Sequence, residues 1–149
     1  MKNASHLFMS VAVLASSIFW LNCGGDSNPV APSSLAGTWD LVSFTDKTIN
    51  ITVPAGQPTD IGNGVTITVT GSVVLTESSY QISVTFVTSV PGQLPQTEVT
   101  SSSGSYSING STLTAVEDGS GEINVFTLTR SGNRITLEDA EERTIWEKR

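Results

Sequence analysis

The strongest constraint in this chain is a period of two. Val65, Ile67 and Val69 alternate with Thr66, Thr68 and Thr70, and Tyr80, Ile82, Val84 and Phe86 alternate with Gln81, Ser83 and Thr85. Successive side chains of a strand point to opposite faces, so this pattern predicts strands with one buried face. β-Branched and aromatic residues suit that pleated surface, and Thr and Ser suit its wet side. An amphipathic helix needs apolar spacings of three and four. The chain beyond residue 23 shows no such run.

The punctuation between these runs predicts tight hairpins. Asn109-Gly110 separates SYSI from STLTA, and both residues tolerate the positive φ of a two-residue hairpin turn. Asp118-Gly119-Ser120-Gly121 and Ser131-Gly132-Asn133 separate the next runs, Glu77-Ser78-Ser79 turns the chain earlier, and residues 91–95 form a loop between two prolines. Eight to ten short strands follow from residue 35 onward. A sequential meander of that many strands closes into a barrel, because closure removes the exposed edges. The fold class expected is all-β, an antiparallel up-and-down meander forming a small 8–10-stranded barrel. An immunoglobulin-like sandwich has a similar strand count, but short hairpins throughout argue against its crossing connections.

The first part of the chain has a different character. Lys2 supplies a positive start, and residues 7–21 are almost wholly apolar or small. That run fits the h-region of a secretory signal and is short for a membrane-spanning helix. Cys23 follows it, then Gly24 and Gly25. This layout resembles the signal of bacterial lipoproteins, although Trp20, Leu21 and Asn22 depart from the small residues that family prefers before its cysteine. The resemblance implies cleavage before Cys23, acylation of its thiol and new amine, and retention at the cell envelope. The outer membrane is the expected site, on its periplasmic or surface side. Two or more acyl chains hold a protein firmly to a bilayer where one does not. The expected organisation is a signal over 1–22, a lipidated Cys23 with a Gly/Ser/Pro-rich tether over 23–34, and a barrel over 35–149.

Charge and cysteine usage exclude several functions. From Cys23 onward the chain has 14 acidic and 6 basic residues, a net charge of −8, and the basic residues do not cluster. Nucleic-acid binding needs a basic face, and so does electrostatic docking on anionic lipid. Cys23 is the single cysteine, so the barrel has no internal disulfide. The single histidine, His6, lies in the signal. The domain therefore has neither His nor free thiol, which removes Ser-His-Asp and Cys-His nucleophiles and the usual zinc sites. Carboxylates remain for chemistry or Ca²⁺: Glu117 with Asp118, and Glu138-Asp139 with Glu141-Glu142. Both groups fall at expected hairpin turns, where a solvated charge costs least, and no twelve-residue calcium loop surrounds them. Neither a catalytic residue nor a cofactor or metal site is assigned.

The ends of the domain carry a second resemblance. It opens with Leu35-Ala36-Gly37-Thr38-Trp39-Asp40 and closes with GSYSINGSTLTA, VFTLTRSGNRITLE and RTIWEKR. Gly-x-Trp on a first strand, followed by a meander and a basic last strand, resembles the lipocalins and fatty-acid-binding proteins, and the bacterial lipocalin-like domains in particular. The resemblance implies that Gly37 lets the chain enter the barrel and Trp39 closes its floor, with Arg143 or Arg149 stacked on the indole. Fatty-acid-binding proteins place two helices after the first strand. Here residues 45–64 contain Pro54, Pro58 and several Gly, so no helical lid is expected. Their terminal Arg-x-Tyr pair is replaced by Thr144 and Trp146. The resemblance implies a small hydrophobic ligand as partner, with no residue assigned to it. The other open reading is a filled barrel that presents its loops to an unknown protein partner. A carboxylate-only enzyme is the least favoured. Trp39, Phe44, Tyr80, Phe86, Tyr106, Phe126 and Trp146 all fall on strands and read mainly as core.

Overall fold

The structure, a computed structural model, describes residues 34–149. The signal, Cys23 and the tether lie outside the described residues. Ten strands follow in order: β1 (Gly37–Asp46), β2 (Ile51–Pro54), β3 (Thr59–Gly62), β4 (Val65–Leu75), β5 (Ser79–Ser89), β6 (Gln96–Asn109), β7 (Thr112–Glu117), β8 (Ile123–Ser131), β9 (Arg134–Glu138) and β10 (Glu142–Lys148). From β4 to β10 each strand pairs antiparallel with the next, β10 pairs with β1, and β1 pairs with β4. The ladder therefore closes through β1 and β4–β10 into an eight-stranded barrel, with β2 and β3 as additional strands. Closure excludes the sandwich.

No helix occurs in the described residues, and the segment after β1 is the short pair β2 and β3. That pair adds strands at one end of the barrel, the wide end, opposite the narrow end where β1 meets β4. The outer edge of β1 is shared: residues 37–40 bond to β4, whereas residues 43–46 bond to β2. The changeover falls beside the register shift between Leu41 and Ser43 opposite β10. Such a bulge bends a strand and raises its local twist. β3 pairs only with the start of β4, and no ladder joins it to β2. The wall is thus continuous where β1 meets β4, and at the other end Ala55 bridges to Val69, with the Gly56 N–H donating to the Val69 carbonyl at 2.8 Å, so the chain after β2 also bonds to β4.

The turns show how local chemistry fixes register. Asn109 pairs with Thr112, so the loop is Gly110-Ser111, and only Gly110 has positive φ (61°). Gly at the first central position is the type II′ pattern, not the Asn-Gly type I′ turn expected here. The dipeptide with both residues at positive φ is Asn63-Gly64, at 57° and 72°, joining β3 to β4.

Most of the core lies at the narrow end, and the buried Val53 and Val69, partners of Phe44 and Phe86, carry it on to the end with β2. Trp39, Trp146, Ile135 and Val69 are the largest fully buried side chains, and Leu35, Leu41, Val73, Leu75, Tyr106, Leu113 and Ala115 surround them. Tyr106 donates its hydroxyl to the Thr76 carbonyl at 2.6 Å, which ties β6 to the β4–β5 turn. Among the described residues no buried side-chain N or O atom lacks a hydrogen-bond partner.

Candidate functional site

Two ends of the barrel present different chemistry. At the narrow end Trp39 donates its indole N–H to the Leu35 carbonyl at 2.8 Å, and Trp146 donates to Thr144 Oγ1 at 2.9 Å. Each buried indole thus keeps its one donor satisfied. Lys148 Nζ lies 5.5 Å from the Trp39 ring centroid, within cation–π range. A cation does cover this indole, but it is a lysine, not either of the expected arginines. Arg149 instead grips the Asp40 carboxylate with Nε and Nη2, at 2.7 and 2.6 Å. The hydrogen bonds to Arg149 hold the Asp40 carboxyl below its usual range.

The stem of Lys148 also explains the glycine. A Cβ at Gly37 would stand 2.6 Å from Lys148 Cε, and Gly37 has φ of 138°, where L side chains rarely sit. Gly37, Trp39 and Lys148 therefore form one assembly across the β1–β10 seam, in which Trp39 pairs with Lys148 in register.

Above this end the side chains that follow the same alternation are still apolar but less covered. Phe44, Ile51, Ile67, Val84, Phe86, Phe126, Leu128 and Leu137 are partly buried and pack against the core, with Val53 and Val69 buried among them; Ile82, the partner of Val73, is partly buried beside the narrow-end core. Phe44 on β1 and Phe86 on β5 belong to strands that do not pair, yet their rings meet edge to face, 5.7 Å apart at 85°. The contact crosses the barrel interior over Val69, which pairs with Phe86 and is fully buried.

The rim of this wider end is acidic. Asp46 and Glu142 are register partners at the ends of β1 and β10. Asp46 Oδ1 accepts hydrogen bonds from the N–H groups of Thr48 at 2.8 Å and Ile49 at 3.3 Å. Burial raises its pKa, but these bonds and that of the Thr48 hydroxyl outweigh it and leave the carboxyl below its usual range. Asp139 Oδ1 caps the β9–β10 turn, accepting from Glu141 and Glu142 N–H at 2.8 Å each. Glu142 is pushed up to about 7, first by burial and then by the charges of Asp139, Asp46 and Glu141. The sequence suggests a solvated turn for this whole cluster, and Glu142 departs from that. It is the first residue of β10, and strand alternation puts it on the face of Thr144 and Trp146. That parity was the available signal. Glu117 and Asp118 behave as turn carboxylates, accepting from Ser120 Oγ at 2.7 Å and Ser103 Oγ at 2.9 Å.

Two concave features lie on the wall, outside the interior. One, of about 420 Å³, is lined by Lys47, Phe126, Thr127, Glu138, Asp139 and Ala140 among others; Lys47 there donates to Glu138 at 3.0 Å and to the Asp139 carbonyl at 2.7 Å. The other, of about 490 Å³, lies where β1 leaves β4, between Asp40, Ala55, Gly71 and Arg149. Among the described residues no group of three or more acidic, His or Cys side chains is placed to hold a metal ion.

Comparison with known proteins agrees with this architecture. No curated protein matches the sequence. Among solved structures, the chain is similar to a lipocalin-like protein from Bacteroides uniformis, with 13% identity, a TM-score of 0.50, and coverage of 76% of this chain and 97% of that one. An uncharacterized protein from Bacteroides eggerthii matches at 8% identity and a TM-score of 0.44, covering 76% and 98%. The sequence profile of the lipocalin-like domain matches residues 35–137, and with Gly37-Thr38-Trp39 on the first strand and the ladder closed from β10 through β1 to β4, the chain belongs to that lipocalin-like family.

Proposed function

We propose that this protein is a cell-envelope lipoprotein, anchored through Cys23, whose barrel receives a small apolar ligand at its wider end. Gly37 and Trp39 close the floor in this reading, and residues 23–34 are the tether. The observation that carries it is the set of interior apolar side chains that stay only partly covered around the buried Val53 and Val69. The narrow end is sealed by Trp39 and Trp146, at 0% and 1% exposure, whereas Phe44, Ile67, Phe86, Phe126 and Leu137 above it remain only partly covered. A barrel of eight strands has room for packed side chains or for one small ligand. Partly covered apolar groups that line an interior gain further burial from an apolar guest, at about 25 cal/mol per Å². In this reading the ligand enters at the end carrying β2 and β3, which no ladder joins to each other.

A second reading has its own support. Val116, Ile123 and Val125 are exposed neighbours on the outer face of β7 and β8, and the two concave features above are external. A filled barrel that binds a protein on its outside would have this character.

Native mass spectrometry of the full chain, purified in detergent from its own host, separates the two. An added small mass that is lost on denaturation supports the carrier. A bare protein mass, unchanged after incubation with a lipid extract, overturns it in favour of the filled barrel. The anchor is tested separately: Cys23→Ser is expected to move the protein from the membrane fraction to the soluble one, and continued membrane retention would defeat the lipoprotein assignment.

A further inference from the structure

One part of the sheet is left without a neighbour. β6 pairs with β5 along residues 96–105, but with β7 only from Gly104 onward. The last link on that side is the Asp118 N–H donating to the Ser103 carbonyl at 2.8 Å. Residues 96–102 therefore have one bonded edge and one open edge. Every residue from 91 to 101 is exposed, so this half of β6 stands clear of the barrel on both faces.

The geometry says which groups the open edge offers. Backbone N–H and C=O groups alternate sides along a strand. The Ser103 carbonyl points to the β7 side. With the unbroken register against β5, the N–H and C=O groups of Thr97, Val99 and Ser101 point the same way, while those of Gln96, Glu98 and Thr100 bond to β5. Exposed edges are usually blunted by Lys, Pro or a bulge. Residues 96–102 contain no Lys, Pro or bulge, and Glu98 is their one charge.

The surroundings select the occupant. The face shared with Tyr106 carries Glu98 and Glu117, with Asp118 and Glu122 in the adjoining β7–β8 turn. The opposite face carries Val99, Val116 and Ile123, at 62%, 37% and 63% exposure. Residues 51–122 contain six acids and no Lys or Arg. The six cations of the domain are Lys47, Arg130, Arg134, Arg143, Lys148 and Arg149, none of them on β2–β7. A second copy paired on this edge would bring the same acids against Glu98 and Glu117, so like charges oppose self-pairing.

We propose that the open edge of β6, residues 96–102, is a docking site for an extended segment of a protein partner in which basic and apolar residues alternate. The segment adds as a strand through the backbone groups of Thr97, Val99 and Ser101. Its basic side chains face Glu98 and Glu117, and its apolar ones cover Val99, Val116 and Ile123. Main-chain pairing supplies affinity in this mode, and alternate side chains supply specificity.

The test is fluorescence anisotropy of a labelled heptapeptide of alternating lysine and valine, titrated with the full chain in detergent. Saturable binding is expected, with a glutamate–valine peptide as the unbound control. Val99→Pro removes one open-edge donor and no bond to β5, so it is expected to fold and to weaken binding about tenfold or more. Glu98→Lys leaves the ladder intact and is expected to weaken binding of the basic peptide several-fold, which keeps the test decisive if the proline variant fails to fold; an unchanged affinity in it overturns the proposal. Equal binding by the folded Val99→Pro protein, or equal binding of both peptides, overturns the proposal. So does a concentration-dependent dimer, seen by sedimentation and lost in Val99→Pro, which would assign the edge to a second copy. None of these readouts depends on whether the barrel carries a ligand.

Discussion

The β10–β1 seam and the outer half of β6 are built from the same kind of ladder, yet they do opposite things. At the seam two tryptophans are fully buried, Lys148 lies over one of them, and Gly37 leaves room for its stem. Along residues 96–101 every side chain is exposed and one edge has no ladder. Pairing therefore does not measure how much a strand contributes to stability. Backbone hydrogen bonds exchange with water and give a modest net gain, whereas burial of large apolar groups drives folding. The seam is where this barrel is held together, and the outer part of β6 is where it can be altered without unfolding.

Four substitutions sharpen or break that contrast. Trp39→Ala is expected to cost about 3–5 kcal/mol in denaturant unfolding, because a cavity replaces a fully buried ring. An unchanged midpoint would remove the seam's special standing. Glu142→Gln acts on the acidic rim. The pKa of this carboxyl in the folded chain is about 7, above its ordinary 4.5, so between those pH values the folded state holds a proton that the unfolded state has released. Stability from this group is thus present at pH 4.5 and lost as pH rises through 7. At pH 8 the glutamine variant is expected to be more stable than the parent by on the order of 2 kcal/mol. Near pH 4 the two should melt together, and a constant difference across the range would show that Glu142 is not buried in the manner described.

Gly37→Ala is smaller in chemistry but awkward in geometry. The new methyl displaces the end of Lys148, and the positive φ strains any L residue there. A loss of about 1–3 kcal/mol is expected. Adding Lys148→Ala should restore only the part due to crowding, so a full rescue would show that φ was not the constraint. The least effect belongs to Val99→Pro, which is expected to leave the denaturation midpoint where it is. A large loss there would place outer β6 among the elements that hold the barrel together.

Much of the barrel was legible before any coordinates. Alternation in Val65–Val69 and Tyr80–Phe86 marked β4 and β5 because a period of two has one physical reading. Gly37-Thr38-Trp39 marked the first strand. Other features needed the fold. The same Asn-Gly dipeptide adopts type I′ at Asn63-Gly64 and shifts by one residue at Asn109-Gly110, since register with the partner strand selects the turn. The sequence suggested Arg143 or Arg149 as the cation over Trp39, and neither takes that place. The register opposite β1 puts Lys148 beside Trp39 and leaves Arg149 to Asp40. Glu142 read as one more turn carboxylate, and burial at the start of β10, with the charges of Asp139, Asp46 and Glu141 beside it, makes it different.

By itself, then, the sequence determined the class of structure: hydrophobic periodicity, turn residues and the lack of helical spacing are local properties that any conformation must respect. Three things required the closed tertiary structure. These are the partly covered apolar side chains around Val53 and Val69, the raised proton affinity of Glu142, and the open edge of β6. Each depends on which strand lies beside which, and closure of the β1–β4 and β1–β10 ladders sets that through contacts between residues far apart in the chain.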